Sequence, residues 1–339
     1  MSQYFKGRVV VLVLIVLSLF FTFLSCDRHE KNKSEPMKSE TITMGVAMIM
    51  VSTPVIVAYK KGFFEREGLT VKFKQYSFGK QAIEAMFSKE NDIATVAETP
   101  IVFKSFERND FAIFATFSES YNDCKIIVKK NSGIMVASDL KGKRVGVTKS
   151  TSSHYFLNTY LLENLIKVSS VDLHFYDPLE LQTALQSGVV DAIVVFEPYA
   201  YMAAQALHGE AFTLPAARLF RETFSFVANK DWVYKHPETI EKILRAMEAA
   251  ISFIHQNRDE TITLLASEIE LSKEHVASIW DSYMFQLSLD NAIIPSLEDE
   301  AKWAIKSRLV EGSTIPNYLD YFYPEAMRVV KPDAVSIIK

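Results

Sequence analysis

A chain of 339 residues with 49% apolar and 23% charged side chains has the composition of a soluble globular protein and length enough for two cores. A net charge of −4 without any basic cluster gives nucleic-acid binding no electrostatic support. Seven scattered histidines and two cysteines show no metal-ligand spacing, so neither a metal nor a cofactor is expected.

At the N-terminus Lys6 and Arg8 precede an uncharged stretch from Val9 to Ser25, which stops at Cys26-Asp27. A basic start and an apolar run form the pattern of an export signal. The run also reaches the short limit for a bilayer-spanning helix, so an uncleaved anchor is the other reading. Phe23-Leu24-Ser25-Cys26 resembles a bacterial lipobox, with Phe23 where Leu is usual. That resemblance implies a lipoprotein signal over residues 1–26, lipid on Cys26, and a mature chain outside the cytoplasmic membrane. With Cys26 modified, Cys124 is left alone and reads as a buried small hydrophobe. Residues 27–40 hold four acidic and four basic side chains with almost nothing apolar, which predicts a solvated linker.

Thr41 to Met50 reads as a first strand. Ser52-Thr53-Pro54 opens a helix that stops at Gly62. Val71 to Lys74 alternates like a strand. A helix over Lys80–Ser88 precedes a strand over Ile93–Ala97, and Glu98-Thr99-Pro100 opens the next helix. The middle of the chain repeats this grammar. Arg144–Thr148 is a strand, followed by the hydroxyl-rich turn Lys149-Ser150-Thr151-Ser152-Ser153 and a helix from about His154. Val171–Phe175 and Ala192–Phe196 are strands, with a helix from Pro178 to Gly188 between them and Glu197-Pro198 opening another. Strand alternating with helix implies parallel sheets in an α/β fold. In Asp92–Glu98 and Asp191–Glu197 a glutamate lies six residues after an aspartate, a faint internal repeat. From His236 onward the pattern is helical, with Ile240, Ile243, Leu244, Met247, Ile251 and Ile254 on one face. Further helices are expected over 259–267, 273–286 and 296–310.

Catalytic signatures are mostly absent. Gly142-Lys143 suggests the end of a P-loop, but Ala137 and Arg144 stand where Gly and Ser or Thr are needed. The informative features are four strand-to-helix junctions, at Ser52-Thr53-Pro54, Glu98-Thr99-Pro100, Ser150–Ser153 and Glu197-Pro198. In open parallel sheets, ligands bind beyond the carboxyl ends of the strands. Free N–H groups at helix starts favour acceptors there. Each hydroxyl can equally cap only its own helix, and His154 can be a capping or packing residue.

The run Lys141 to Val147, followed by Ser150-Thr151-Ser152-Ser153-His154, resembles a turn in the second lobe of periplasmic binding proteins for sulfonates, taurine, nitrate and thiamine-pyrimidine precursors. Gly188-Val189-Val190-Asp191-Ala192 through Glu197-Pro198 resembles a second block of that family, with Phe196 in place of a common Trp. Lys61-Gly62-Phe63-Phe64 with Gly68-Leu69, and Asp92-Ile93-Ala94 with Pro100, resemble two more. The resemblance covers roughly 41–260. It implies a two-lobed type II periplasmic-binding-protein fold, each lobe a mostly parallel sheet flanked by helices, with a helical C-terminal extension. Lobe 1 is expected over 41–128 and 226–339 and lobe 2 over 129–225, with crossings near Lys125–Lys129 and Phe224–Asn229.

The resemblance further implies a monomeric, lipid-anchored solute-binding component of an ABC importer, partnered by permease and ATPase subunits. Ligand contacts are expected at Ser52, Thr53, Glu98, Thr99, Ser150, Thr151, Ser152, Ser153, His154 and Glu197. Tyr121 is added as a ring that could stack on a planar ligand or pack in the core. Carboxylates at Glu98 and Glu197, balanced by little but Lys149, disfavour a bare oxyanion. They suit a ligand with N–H donors: an aminosulfonate, a pyrimidine or a related heterocycle. A pyrimidine-precursor synthase-like enzyme and the input module of a membrane sensor are the alternatives.

Overall fold

The computed structural model describes residues 40–216 and 218–338. The export signal, Cys26 and nearly all of the linker lie outside the described residues. In chain order the first elements are β1 (Glu40–Ala47), α1 (Thr53–Lys60), α2 (Phe63–Arg66), β2 (Leu69–Tyr76), α3 (Gly79–Phe87), β3 (Ile93–Ala97), α4 (Glu98–Glu107) and β4 (Phe111–Ser120). The middle of the chain forms β5 (Cys124–Lys129), β6 (Arg144–Val147), α5 (Ser152–Glu163), β7 (Asp172–Phe175), α6 (Pro178–Gln186), β8 (Ala192–Phe196), α7 (Tyr199–Ala206) and β9 (Ala211–Thr213). It then returns through β10 (Glu222–Asn229), α8 (Lys230–Lys235), α9 (Pro237–Gln256), α10 (Arg258–Glu268), α11 (Lys273–Ile279), β11 (Tyr283–Ser288), α12 (Ile293–Lys306) and α13 (Glu325–Val330).

The strands form two sheets, one per lobe. The six-stranded sheet has the order β11-β4-β10-β3-β1-β2 and the five-stranded sheet β7-β6-β8-β5-β9. β1 pairs in parallel with β2 and β3, as β6 does with β7 and β8. β10 and β5 then run antiparallel to β3 and β8. The two sheets therefore share one plan. β5 lies wholly in the second sheet and β10 wholly in the first, so the chain passes between the sheets just ahead of them, near Tyr121–Asp123 and before Glu222, and not within Lys125–Lys129 and Phe224–Asn229 as expected.

The faint internal repeat is structural. Asp92 Oδ2 accepts the Thr43 N–H at 2.7 Å, and Asp191 Oδ2 accepts the Arg144 N–H at 2.9 Å. In return Asp92 and Asp191 donate their own N–H groups to the Thr43 and Arg144 carbonyls. Each aspartate, one residue ahead of its own strand, thus pins that strand's start to its parallel neighbour, at the fourth residue of β1 and the first of β6. Two residues further on, Gly45 and Gly146 occupy matching register positions, opposite Ala94 and Ile193.

The cores differ in kind. In the first sheet Phe114, Phe117, Phe224 and Phe226 are fully buried; Phe226 stacks on Phe114 at 5.2 Å and lies 4.6 Å from Phe117, between ring centroids. The second sheet is filled by aliphatics such as Ile126, Val145, Val147, Ile193 and Val194. The apolar face of α9 is buried as its spacing requires. Residues 273–286 correct the sequence reading. The helix ends at Ile279, and Tyr283, Phe285 and Leu287 alternate as the buried face of β11 along β4. A strand edge left open by β4 outweighs the helical pattern before it, because pairing satisfies backbone groups that would otherwise face the core. Among the described residues, no helix is long and apolar enough to cross a membrane.

Candidate functional site

The junctions after β1, β3, β6 and β8 face one another across the gap between the lobes. They enclose a small cavity of about 20 Å³, room for about one water molecule. The first lobe supplies Phe78, Gly79 and Lys80 from the start of α3, Ala97 and Pro100 from the β3–α4 junction, and Glu222 and Phe224 from β10, beside Ile49. The second lobe supplies Thr151, Ser152 and Phe196. Phe78 and Phe196 approach from opposite lobes with ring centroids 6.4 Å apart. Gly79 has no alternative, since a Cβ there would lie 2.9 Å from the Val96 Cα and 3.1 Å from the Thr95 carbonyl oxygen.

Bonds between the lobes surround this cavity. The Tyr199 hydroxyl donates to the Ser77 carbonyl at 2.8 Å, and Lys80 Nζ to the Lys149 carbonyl at 3.3 Å. Tyr201 stacks on His275 at 3.7 Å, and His154 and Tyr155 on α5 pack against Trp303 of α12. The cleft is closed.

Of the residues singled out in the sequence, Thr151 and Ser152 line the cavity. The Thr151 hydroxyl donates to the Thr148 carbonyl at 2.7 Å and lies 2.9 Å from that of Ser153. Ser150 adopts a left-handed φ of 60° and its N–H meets His154 Nδ1 at 3.4 Å. His154 is packed edge-on between Phe175 and Trp303, and burial, followed by the charges of Lys149 and Lys80, holds its pKa down at about 4. It is a neutral packing residue at neutral pH. The Thr53 hydroxyl donates to the Met50 carbonyl, while those of Ser52 and Thr99 are buried.

Glu98 turns from the cleft and accepts the Thr223 N–H with both oxygens, at 2.8 and 2.9 Å. Burial pushes its pKa up to about 8. Glu197 accepts the Tyr201 N–H at 3.1 Å and lies 3.6 Å from His275 Nε2, so it serves its own helix start. Tyr121 is 37% exposed beneath the Arg218 guanidinium, 5.2 Å away. The junctions converge as expected, but strand alternation turns Ala97 and Phe196 inward and their glutamate neighbours aside.

Three polar residues near the floor were not anticipated as site residues. Asp123 and Cys124 sit where the chain enters the second lobe and Glu222 where it re-enters the first; all are buried. Burial raises the Asp123 carboxyl to about 6, and drives the Glu222 carboxyl and the Cys124 thiol well up. A signal for Glu222 did exist. It shares the alternation of Phe224 and Phe226, and so stands on a buried strand face.

A family model described as NMT1/THI5 like matches residues 50–261. A putative aliphatic sulfonates-binding protein of Bacillus subtilis (strain 168) is 24% identical over 273 residues, covering 79% of this chain and 81% of the relative. The taurine-binding periplasmic protein of Escherichia coli (strain K12) is 25% identical over 215 residues, 62% of this chain and 65% of its own length. Among solved structures, the periplasmic aliphatic sulphonate binding protein SsuA from Escherichia coli superposes with a TM-score of 0.69 at 23% identity, covering 83% of this chain and 99% of that one.

Proposed function

This chain belongs to the NMT1/THI5-like family, and we propose that it is the extracytoplasmic solute-binding component of an ABC importer. The observation that carries this reading is the closed cleft, whose wall is contributed by both lobes around a cavity too small for any organic solute. A ligand enters only when the lobes part, and it then replaces contacts such as Tyr199 to Ser77 as the link between them. The wall offers three phenylalanine faces beside the Thr151 and Ser152 hydroxyls and the Glu222 carboxyl. It suits a small nitrogen- or sulfur-containing molecule with N–H donors, such as an aminosulfonate or a pyrimidine. The names of the sulfonate- and taurine-binding relatives support the same class. Lipid on Cys26 tethers the monomer at the membrane face, and permease and ATPase subunits receive the ligand. The protein binds its ligand without transforming it.

Calorimetric titration with aminosulfonates, alkanesulfonates and pyrimidines tests this. One of them is expected to bind, to be recovered unchanged, and to lose affinity about ten- to hundredfold in Ser152→Ala or Phe196→Ala. Absence of binding across the panel, or binding indifferent to both substitutions, removes the cleft from the reading. Palmitate labelling that is lost in Cys26→Ser tests the anchor.

A further inference from the structure

The floor of the cleft brings together three side chains of metal-ligating type. A carboxylate oxygen of Asp123, the Cys124 thiol and a carboxylate oxygen of Glu222 lie within 4.8 Å of one another, all buried. Asp123 Oδ2 and Glu222 Oε2 are completely enclosed and have no hydrogen-bond partner among the described residues other than each other's carboxyl group. The other Asp123 oxygen is held by the Tyr283 hydroxyl at 2.6 Å, which leaves Oδ2 as the oxygen free to ligate. Among the described residues no cation pairs with them directly: Lys125, next in the chain, directs its ammonium to the Asn122 carbonyl and side-chain oxygens. Ser152, at the start of α5, faces both Cys124 and Glu222 from the second lobe.

Enclosed carboxylate oxygens without a donor are costly unless something positive joins them. A thiolate with two carboxylates selects a borderline divalent ion over calcium or magnesium. We propose that Asp123, Cys124 and Glu222 form a site for one divalent transition-metal ion of the zinc class at the hinge. Ligand distances of about 2.0 Å for oxygen and 2.3 Å for sulfur are reached when the three side chains close in by about 1 Å. Tyr283 then acts as the outer-shell donor that orients a ligating carboxylate. Loading displaces the thiol proton and leaves a fourth position toward Ser152 for water. Because Asp123–Cys124 and Glu222 flank the two passages between lobes, the ion ties the hinge strands together. This inference stands apart from the transport reading, and neither outcome of the solute titration decides it.

The test uses Co²⁺ on the chelator-treated full chain. One equivalent is expected to bind, with thiolate-to-cobalt charge-transfer absorption, and Zn²⁺ is expected to displace it. Cys124→Ser removes that absorption, Cys26→Ser keeps it, and Asp123→Asn or Glu222→Gln weakens Co²⁺ binding about tenfold or more. X-ray absorption of the zinc-loaded, unsubstituted chain is expected to show one sulfur among oxygen neighbours, which decides the matter should Cys124→Ser fail to fold. No absorption band in the native chain, a band that survives Cys124→Ser, affinity indifferent to Glu222→Gln, or a zinc shell without sulfur each overturns the proposal. In those cases the trio is a proton-sharing acid cluster.

Discussion

The two lobes place glutamates at matching points, six residues after matching aspartates, and put them to different uses. Glu98 reaches sideways and ties both oxygens to the Thr223 N–H on β10. Glu197 bends along its own chain to the Tyr201 N–H. The aspartates, in contrast, do the same job twice, each pinning the start of its own strand to a parallel neighbour. The lesson is that the shared plan preserves what the backbone requires and leaves the residues at the strand ends free to diverge. In both lobes the residue turned into the cleft is the apolar one just before the glutamate, Ala97 or Phe196.

The largest test of the contrast is in the cores. Phe226→Ala in the aromatic first sheet is expected to cost about 3–5 kcal/mol, against about 0.5–1.5 kcal/mol for Ile193→Val in the aliphatic second sheet. Denaturant unfolding measures both, and equal losses would remove the distinction. The aspartates should behave alike. Asp92→Ala and Asp191→Ala each strip a partner from a strand N–H, at about 1–3 kcal/mol. Asp191 also pairs with the Arg144 guanidinium at 2.7 Å, but that pair is half exposed and adds little. A large gap between the two variants would break the equivalence.

The acids of the two lobes should titrate in opposite senses. The Glu98 pKa is raised by burial from 4.5 to about 8, so its contribution is full below pH 4.5 and is lost as pH rises toward 8. Asp191 is held below its ordinary 3.8, chiefly by its hydrogen bond to Arg144. Its contribution is therefore present above that value and is lost as pH falls through the depressed pKa. One proton in such a window gives a slope of about 1.4 kcal/mol per pH unit. Melting curves across pH should show Glu98→Gln flattening the neutral-side decline and Asp191→Asn flattening only the acid side; an unchanged neutral-side slope in Glu98→Gln would refute the assignment. The smallest effect belongs to the contact between lobes. Tyr199→Phe removes one hydrogen bond of about 0.5–1.5 kcal/mol from the closed form. Small-angle scattering should show the unliganded protein more open, with its melting temperature nearly unchanged.

Much of this was legible in the chain itself. Pro54 and Pro100, one and two places inside their helices, marked two of the junctions that frame the cleft, and Pro178 and Pro237, each the first residue of its helix, marked two helix starts elsewhere. Period-two runs such as Val171–Phe175 marked the strands. β11 was hidden because Tyr283–Ser288 follows directly on a helix, and only the open edge of β4 decides its conformation. The floor of the site was hidden for a related reason. Asp123 and Glu222 gain their significance from meeting across the hinge, and local spacing cannot report a meeting of residues so far apart. Glu98 and Glu197 show the opposite case: their positions suit a ligand, while their backbone N–H partners, Thr223 and Tyr201, are likewise invisible to local spacing.

Ser120, the last residue of β4, lies directly opposite Glu222, the first of β10. Cross-strand partners of this kind have Cα atoms only about 4.5–5.5 Å apart. Seen from the first sheet, the whole second lobe is thus the loop of an oversized hairpin, entering and leaving through one narrow doorway. Two tethers so close together resist sliding and splaying far more than they resist twisting about their common line. The second lobe is held like a page on a spine, with a single soft coordinate along which it can turn.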